Sequence, residues 1–183
     1  ADYSVLNHDD PAVYDMKEKT RAKVMSYGFT EGATVRMSNF DYHLTADKKP
    51  DGIGFKVNYG IHTTFVPFNI HGVLGKSQAL AAGAATCIGI IYGMNLIEIS
   101  EAMNEYKGPN GRLKILKGIK NSIIIDDTYN AAPASTHLAL ETLKSLPAKR
   151  KIKKGYKRIV GILNSGKIPS NDINKITFDF KGY

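Results

Sequence analysis

The sequence predicts an α/β fold in two parts, and three observations carry that expectation. Stretches of strand-like alternation interchange with stretches of helical spacing along the chain. A breaker pair, Gly108-Pro109, interrupts the pattern. Beyond it the apolar run Ile123-Ile124-Ile125 ends in two carboxylates, Asp126 and Asp127, before a helical segment. Open α/β sheets have such an arrangement at the carboxyl ends of their buried strands.

Residues 3–6 read as a short strand. Asp10-Pro11 can open a helix with proline at its first position, and Val13, Met16 and Thr20 continue it at helical spacing. Residues 24–27 read as a strand closed by Gly28, and residues 34–44 as another. Residues 53–59 and 62–68 alternate around Gly60, which predicts a hairpin. Residues 77–92 are rich in Ala and Gly, so they predict a helix that packs closely. Asn95 and Glu98 have capping-pair spacing for a helix over 96–106. After a linker at 107–110, residues 113–116, 122–125 and 158–163 read as strands and 134–146 as a helix. Their β-α-β order predicts some parallel strands.

The composition is 43% hydrophobic and 23% charged, ordinary globular usage that permits a core. No apolar run reaches the roughly 18 to 20 residues of a membrane span, and Ala1-Asp2-Tyr3 lacks the pattern of a signal peptide. The single cysteine, Cys87, cannot form an internal disulfide and reads as a small core hydrophobe. These features predict a cytoplasmic chain. The net charge of +8 is uneven: from Lys144 onward eleven Lys or Arg face two acids, which gives the tail +9 and the remainder −1. Such a tail suits incidental polyanion contact. Without interleaved aromatics it predicts no specific nucleic-acid partner.

The segment Asp126-Asp127-Thr128-Tyr129-Asn130-Ala131-Ala132-Pro133-Ala134-Ser135 is the most informative. A carboxylate at a strand end can accept hydrogen bonds from ribose hydroxyls or hold a hydrated metal. The same residues also suit a plain turn, with Ser135 capping the helix. This segment resembles the Asp-Asp-Ser-Tyr-Asn-Ala-Asn-Pro-x-Ser signature of Mur ligases of the D-alanyl-D-alanine-adding type, with Thr128 and Ala132 as departures. Val5-Leu6-Asn7-His8-Asp9-Asp10-Pro11 is similar to the family's Val-Leu-Asn-x-Asp-Asp-Pro. Gln78-Ala79-Leu80-Ala81-Ala82 resembles Asn-Ala-Leu-Ala-Ala, and Gly111-Arg112 resembles Pro-Gly-Arg between the central and C-terminal domains. Four short motifs stand in the family's order over roughly residues 3–146.

The resemblance implies part of a Mur central ATPase domain over residues 1–108. It implies part of a Rossmann-like C-terminal domain, with an atypical basic tail, over 109–183. It implies ATP and Mg2+ as cofactors, and UDP-muramoyl peptide and D-alanyl-D-alanine as partners joined through an acyl phosphate. Arg112 would face the terminal phosphate, since a guanidinium is planar, always charged and bidentate. Asp127 would meet the ribose with Asp126 supporting it. Tyr129, Asn7 and Gln78 would lie on the nucleotide side, and Asn130 and Ser135 at the substrate edge. Arg112, Asp126 and Asp127 would share one cleft.

Leu74 and Gly75 stand where the family has His and Asn before the central helix, so only Gln78 keeps an amide for adenine. The family's Gly-Thr-Asn-Gly-Lys-Thr-Thr loop does not occur in these 183 residues. Gly75-Lys76-Ser77 mimics a phosphate loop, but Ile70 occupies the required first glycine. Gly161 and Gly166-Lys167 have the glycine spacing, but Ile168 replaces the hydroxyl residue. His8, His43, His62, His71 and His137 show no ligand spacing, so no metal site is expected. The expected activity is therefore that of a ligase fragment, inactive by itself; the alternative is a non-catalytic nucleotide- or anion-binding interaction module. The sequence leaves the oligomeric state open.

Overall fold

The structure is a computed structural model that describes residues 2–60, 64–118, 122–129, 132–147, 150–154 and 159–163. It divides into two compact units. The first comprises Ala1–Asp41, Ile53–His71 and Lys76–Tyr106; the second comprises Tyr42–Gly52, Gly72–Gly75 and Lys107–Tyr183. The chain thus passes from one unit to the other five times.

The first unit is built on a sheet of five strands in sequential order: β1 (Tyr3–Asn7), β2 (Lys23–Gly28), β3 (Val35–Leu44), β4 (Pro50–Tyr59) and β5 (Val66–His71). The pairs β1–β2 and β2–β3 are parallel. Between β1 and β2 the chain forms a single turn of helix, α1 (Pro11–Tyr14), whose start is capped by the Asp10 carboxylate accepting from Ala12 and Val13. It then tightens into a 3₁₀ segment, Asp15–Lys19, so the helical spacing read from Val13 to Thr20 holds for only one α-turn. The β4–β5 neighbours agree with the expected hairpin, but β5 begins at Val66, four residues later than its predicted start at His62, which itself lies outside the described residues.

Helix α2 (Lys76–Ile91) packs closely because its glycines leave no room for anything larger. A Cβ on Gly83 would stand 2.9 Å from the Met37 methyl and 3.1 Å from the Tyr27 ring, and one on Gly89 would stand 2.8 Å from Ile99. Helix α3 (Leu96–Asn104) opens with the full capping box. Asn95 Oδ1 accepts from Ile97 and Glu98, and the Glu98 carboxylate accepts from Asn95 N at 2.8 Å. The core gathers Val35, Met37, Ile53, Val57, Phe68, Ile70, Ala79 and Cys87. Burial pushes the Cys87 thiol up to about 12, so it behaves as the small hydrophobe expected of it.

The second unit holds a four-stranded sheet in the order β6 (Lys114–Lys117), β7 (Ile123–Asp126), β9 (Ile159–Leu163), β8 (Arg150–Lys154). All three of its pairings are antiparallel. The β-α-β order predicted some parallel strands, and no hydrogen-bonded pair of this sheet is parallel. Strands β7 and β8, joined through α4 (Pro133–Ser145), do run the same way, but β9 turns back and takes the place between them. Its core consists of Leu74, Leu113, Ile123, Ile125, Ala139, Leu143 and Leu146, with Tyr42 and Ile115 packed against it. No helix among the described residues is long and apolar enough to cross a membrane.

Candidate functional site

The residues that join the linker to β7 form the site. Strand β7 is buried at Ile123 and Ile125 and ends at Asp126, so the next three residues follow at the carboxyl end of an interior strand. Asp126 spends both oxygens locally. Its Oδ2 accepts from Gly111 N at 3.0 Å; its Oδ1 accepts from Thr128 N at 3.2 Å and from the Thr128 hydroxyl at 2.7 Å. In return, Tyr129 N donates to Gly111 O at 3.1 Å. Two backbone stretches distant in sequence are thereby laced together, with a carboxylate on one side and an amide–carbonyl bond on the other.

Gly111 is required at this contact. Its φ is +73°, and a Cβ there would stand 2.8 Å from Tyr129 N and 3.1 Å from Tyr129 Cβ. The next residue, Arg112, is exposed, and its guanidinium carbon lies 3.9 Å from the Tyr129 ring centroid. Asp127 is buried at the base of the same loop. The structure therefore brings together Arg112, Asp126, Asp127 and Tyr129. It also shows Asp126 fastening the turn while Asp127 follows it in the chain.

The remaining predicted residues lie elsewhere. Ser135 sits in the first turn of α4, but it does not cap that helix. The helix starts two residues earlier, at Pro133 behind Ala132, and the hydroxyls of Ser135 and Thr136 donate back to Ala132 O at 3.1 and 2.9 Å. Asn130 lies outside the described residues. Asn7 and Gln78 belong to the first unit. Asn7 closes the end of β1, its Oδ1 accepting from Asp9 N at 3.0 Å, and Gln78 is buried in the first turn of α2. Gly75-Lys76-Ser77 does open α2, with Gly75 at φ +90°, and Lys76 Nζ lies 5.0 Å over the Phe29 ring. Among the described residues no three His, Cys, Asp or Glu come together to hold a metal ion.

Sequence reasoning singled out neither Thr128 nor Asp9 as a working residue. Thr128 looked like a mild departure from a signature, yet its hydroxyl completes the Asp126 clasp. Asp9 is the anchor of the β1–α1 loop, accepting from Phe29 N at 2.8 Å and Thr30 N at 2.9 Å. Burial would raise its carboxyl, but the backbone bonds from Phe29 and Thr30, the Thr30 side chain and His8 together hold it below the usual value. A Cβ on Gly28 would collide with the same carboxylate.

No protein-family profile matches the chain. Individual relatives do. It is 30% identical over 156 residues to the UDP-N-acetylmuramoyl-L-alanyl-D-glutamate–2,6-diaminopimelate ligase of Geobacillus kaustophilus, covering 82% of this chain and 28% of that protein. It is 26% identical over 144 residues to the UDP-N-acetylmuramate–L-alanine ligase of Aquifex aeolicus, covering 79% and 30%. It is 29% identical over 107 residues to the UDP-N-acetylmuramoyl-tripeptide–D-alanyl-D-alanine ligase of Bacillus subtilis, covering 58% and 22%. Among solved structures, MurF from Acinetobacter baumannii superposes with a TM-score of 0.63 at 22% identity, over 82% of this chain and 30% of that one. A pseudomurein peptide ligase type C from Methanothermus fervidus superposes at 0.52 and 19% identity, over 79% and 35%. The chain thus spans less than a third of the length of these curated relatives.

The described residues share the fold of the corresponding segment of these ligase structures. What the chain resembles, over part of their length, is the Mur ligases.

Proposed function

We propose that this chain is a segment of an ATP-dependent ligase of peptidoglycan-precursor synthesis. It would join D-alanyl-D-alanine to a UDP-muramoyl tripeptide through an acyl phosphate. Residues 1–108 would come from the later part of the central domain and 109–183 from the C-terminal domain. The observation that carries the reading is the clasp between Gly111-Arg112 and Asp126-Asp127-Thr128-Tyr129.

These residues suit the chemistry. Phosphoryl transfer to a carboxylate needs positioning and neutralised phosphate charge more than covalent help from the protein. An exposed guanidinium held against an aromatic face can approach a terminal phosphate of ATP, and a strand-end carboxylate at Asp127 can accept from a ribose hydroxyl. Asn130 and Ser135 would border the peptide substrate, and Asn7 and Gln78 would serve the nucleotide. ATP supplies the phosphoryl group that activates the carboxylate; Mg2+ would take its ligands from the parts of the longer enzyme that carry the phosphate loop. A nucleotide-driven reaction of this kind belongs in the cytoplasm. The named relatives take L-alanine, diaminopimelate or D-alanyl-D-alanine. The acceptor proposed here rests on the Tyr129-Asn130 pair of the signature.

The test is a fusion of this chain behind the phosphate-loop half of the Bacillus subtilis relative, assayed with the three acceptors. D-Alanyl-D-alanine should be joined, ATP should be consumed with it, and Arg112→Ala should abolish both. Ligation of L-alanine or diaminopimelate instead would overturn the acceptor. ATP hydrolysis by the 183-residue polypeptide alone, lost in Lys76→Ala, would overturn the fragment reading. Nucleotide binding with no ligation by any fusion would favour an interaction module.

A further inference from the structure

We infer that Thr128 is a positioning residue: acting through Asp126, its hydroxyl sets the backbone at Asp127 and the backbone leading into Arg112 in place together. The inference rests on the ligand-facing roles proposed above for Arg112 and Asp127. The end of β7 fixes the Asp126 backbone. The terminal bond of an aspartate side chain, however, rotates over a broad range. Something beyond the strand must decide how the carboxylate is turned toward Gly111.

Three bonds decide it. Asp126 Oδ2 accepts from Gly111 N at 3.0 Å, and Oδ1 accepts from Thr128 N at 3.2 Å and from the Thr128 hydroxyl at 2.7 Å. The hydroxyl bond is the shortest of the three, as expected of an O–H donor on an ionised acceptor. The bond from Thr128 N closes a turn whose middle residue is the buried Asp127. The bond from Gly111 N fixes the backbone one residue before Arg112. A Cβ on Gly111 would stand 3.2 Å from the Thr128 hydroxyl oxygen, so that oxygen lies against the Gly111 backbone as well as against Asp126. Threonine is branched at Cβ and therefore stiff at χ1, which leaves its oxygen few positions. One side chain thus orients the carboxylate on which both stretches converge. The bond from Tyr129 N to Gly111 O, at 3.1 Å, holds the two backbones together but does not turn the carboxylate.

The test uses the 183-residue chain, amide exchange followed by NMR, and inorganic tripolyphosphate read at the Arg112 Nε–Hε resonance. That resonance separates this site from polyanion contacts of the basic tail. Thr128→Val keeps the branched shape and removes the hydroxyl, whereas Thr128→Ser keeps the hydroxyl. In Thr128→Val the Gly111 amide should exchange about tenfold faster, the equivalent of one lost hydrogen bond. The Asp127 amide resonance should move with it. Tripolyphosphate should bind about threefold more weakly, as when the competent population falls to about a third. Thr128→Ser should match the parent in all three readouts, and the Leu143 amide in α4 should exchange alike in every chain, which reports an intact fold. Gly111 exchange unchanged in Thr128→Val would overturn the inference, as would the same result in Thr128→Ala, a smaller side chain that also lacks the hydroxyl. An equal loss in Thr128→Ser would overturn it too, because the methyl group would then hold the loop. Faster Gly111 exchange in Thr128→Val with tripolyphosphate binding unchanged there, but lost in Arg112→Ala, would sink the positioning role and leave the phosphate role standing. Tripolyphosphate binding that ignores Arg112→Ala would remove the phosphate role itself, and the positioning role with it.

Discussion

Replacing Gly111 with alanine tests the clasp most directly. The left-handed backbone at φ +73° costs a residue with a Cβ about 1 kcal/mol. The new methyl would also stand 2.8 Å from Tyr129 N and 3.2 Å from the Thr128 hydroxyl, so the two stretches must separate. Separation strains the Tyr129 N–Gly111 O bond, worth about 1 kcal/mol, and the charge-assisted bond from Gly111 N to Asp126, worth about 2 kcal/mol. With relaxation recovering part of this, the expected local cost is about 3 kcal/mol. That corresponds to about a hundredfold faster amide exchange at the end of β7, where opening is local. Gly72 provides the control. Its φ is +76°, but a Cβ there meets nothing within 4 Å, so Gly72→Ala should cost only the backbone term of about 1 kcal/mol. Hydrogen–deuterium exchange on both variants reads the difference. Exchange at Ile124, Ile125 and Asp126 no faster in Gly111→Ala than in Gly72→Ala would refute the argument that the close approach to Tyr129 holds the loop.

Three further outcomes are expected. Cys87, its thiol pushed up to about 12 by burial, should resist a thiol reagent at pH 8 until the chain is denatured. Because the thiol titrates earlier when unfolded, the first unit should also lose stability as pH rises from about 9 toward 12, seen by circular dichroism during alkaline titration; flat stability across that window would refute the assignment. The Asp9 carboxyl is held below its ordinary 3.8, so its contribution is present at neutral pH and lost as pH falls through the folded value. Asp9→Asn should remove most of that acid dependence and destabilise the β1–α1 loop by about 2 kcal/mol in urea unfolding. Asn95→Ala removes the side-chain acceptor of the α3 capping box, while the backbone N of residue 95 can still donate to Glu98; it should cost about 1 kcal/mol, measured by exchange in Ile97, Glu98 and Ile99.

What could be read in advance followed local chemistry. Asn95 and Glu98 cap a helix through bonds that span three residues, so their pairing is visible in spacing alone. The Ala- and Gly-rich stretch of α2 announces close packing because glycine there has no other use. Tyr129 and Arg112 were singled out by motif, and they do lie together. The non-local facts were hidden. Nothing near Ile123 in sequence says that β9, over thirty residues later, will pair with it ahead of β8. Nor does the spacing around Thr128 reveal that its hydroxyl serves Asp126 against a glycine fifteen residues earlier. The α-helical spacing after Pro11 misled because a weak apolar pattern over ten residues fits a single α-turn and a 3₁₀ segment equally well.

The five passages of the chain between its units bear on how the protein can be taken apart. Leu74 is fully buried in the core of the second unit, and Tyr42 packs on that core, yet both precede Lys107 by more than thirty residues. A polypeptide started at residue 109 would leave Leu113, Ile125 and Leu143 without these neighbours. It would also lack Gly72, whose carbonyl accepts from Ile115 N at 2.8 Å. Two fragments cut near residue 108 are therefore not independent modules but the halves of a complementation system: the second half should reach its native core only in the presence of the first, with a yield that rises with the concentration of its partner.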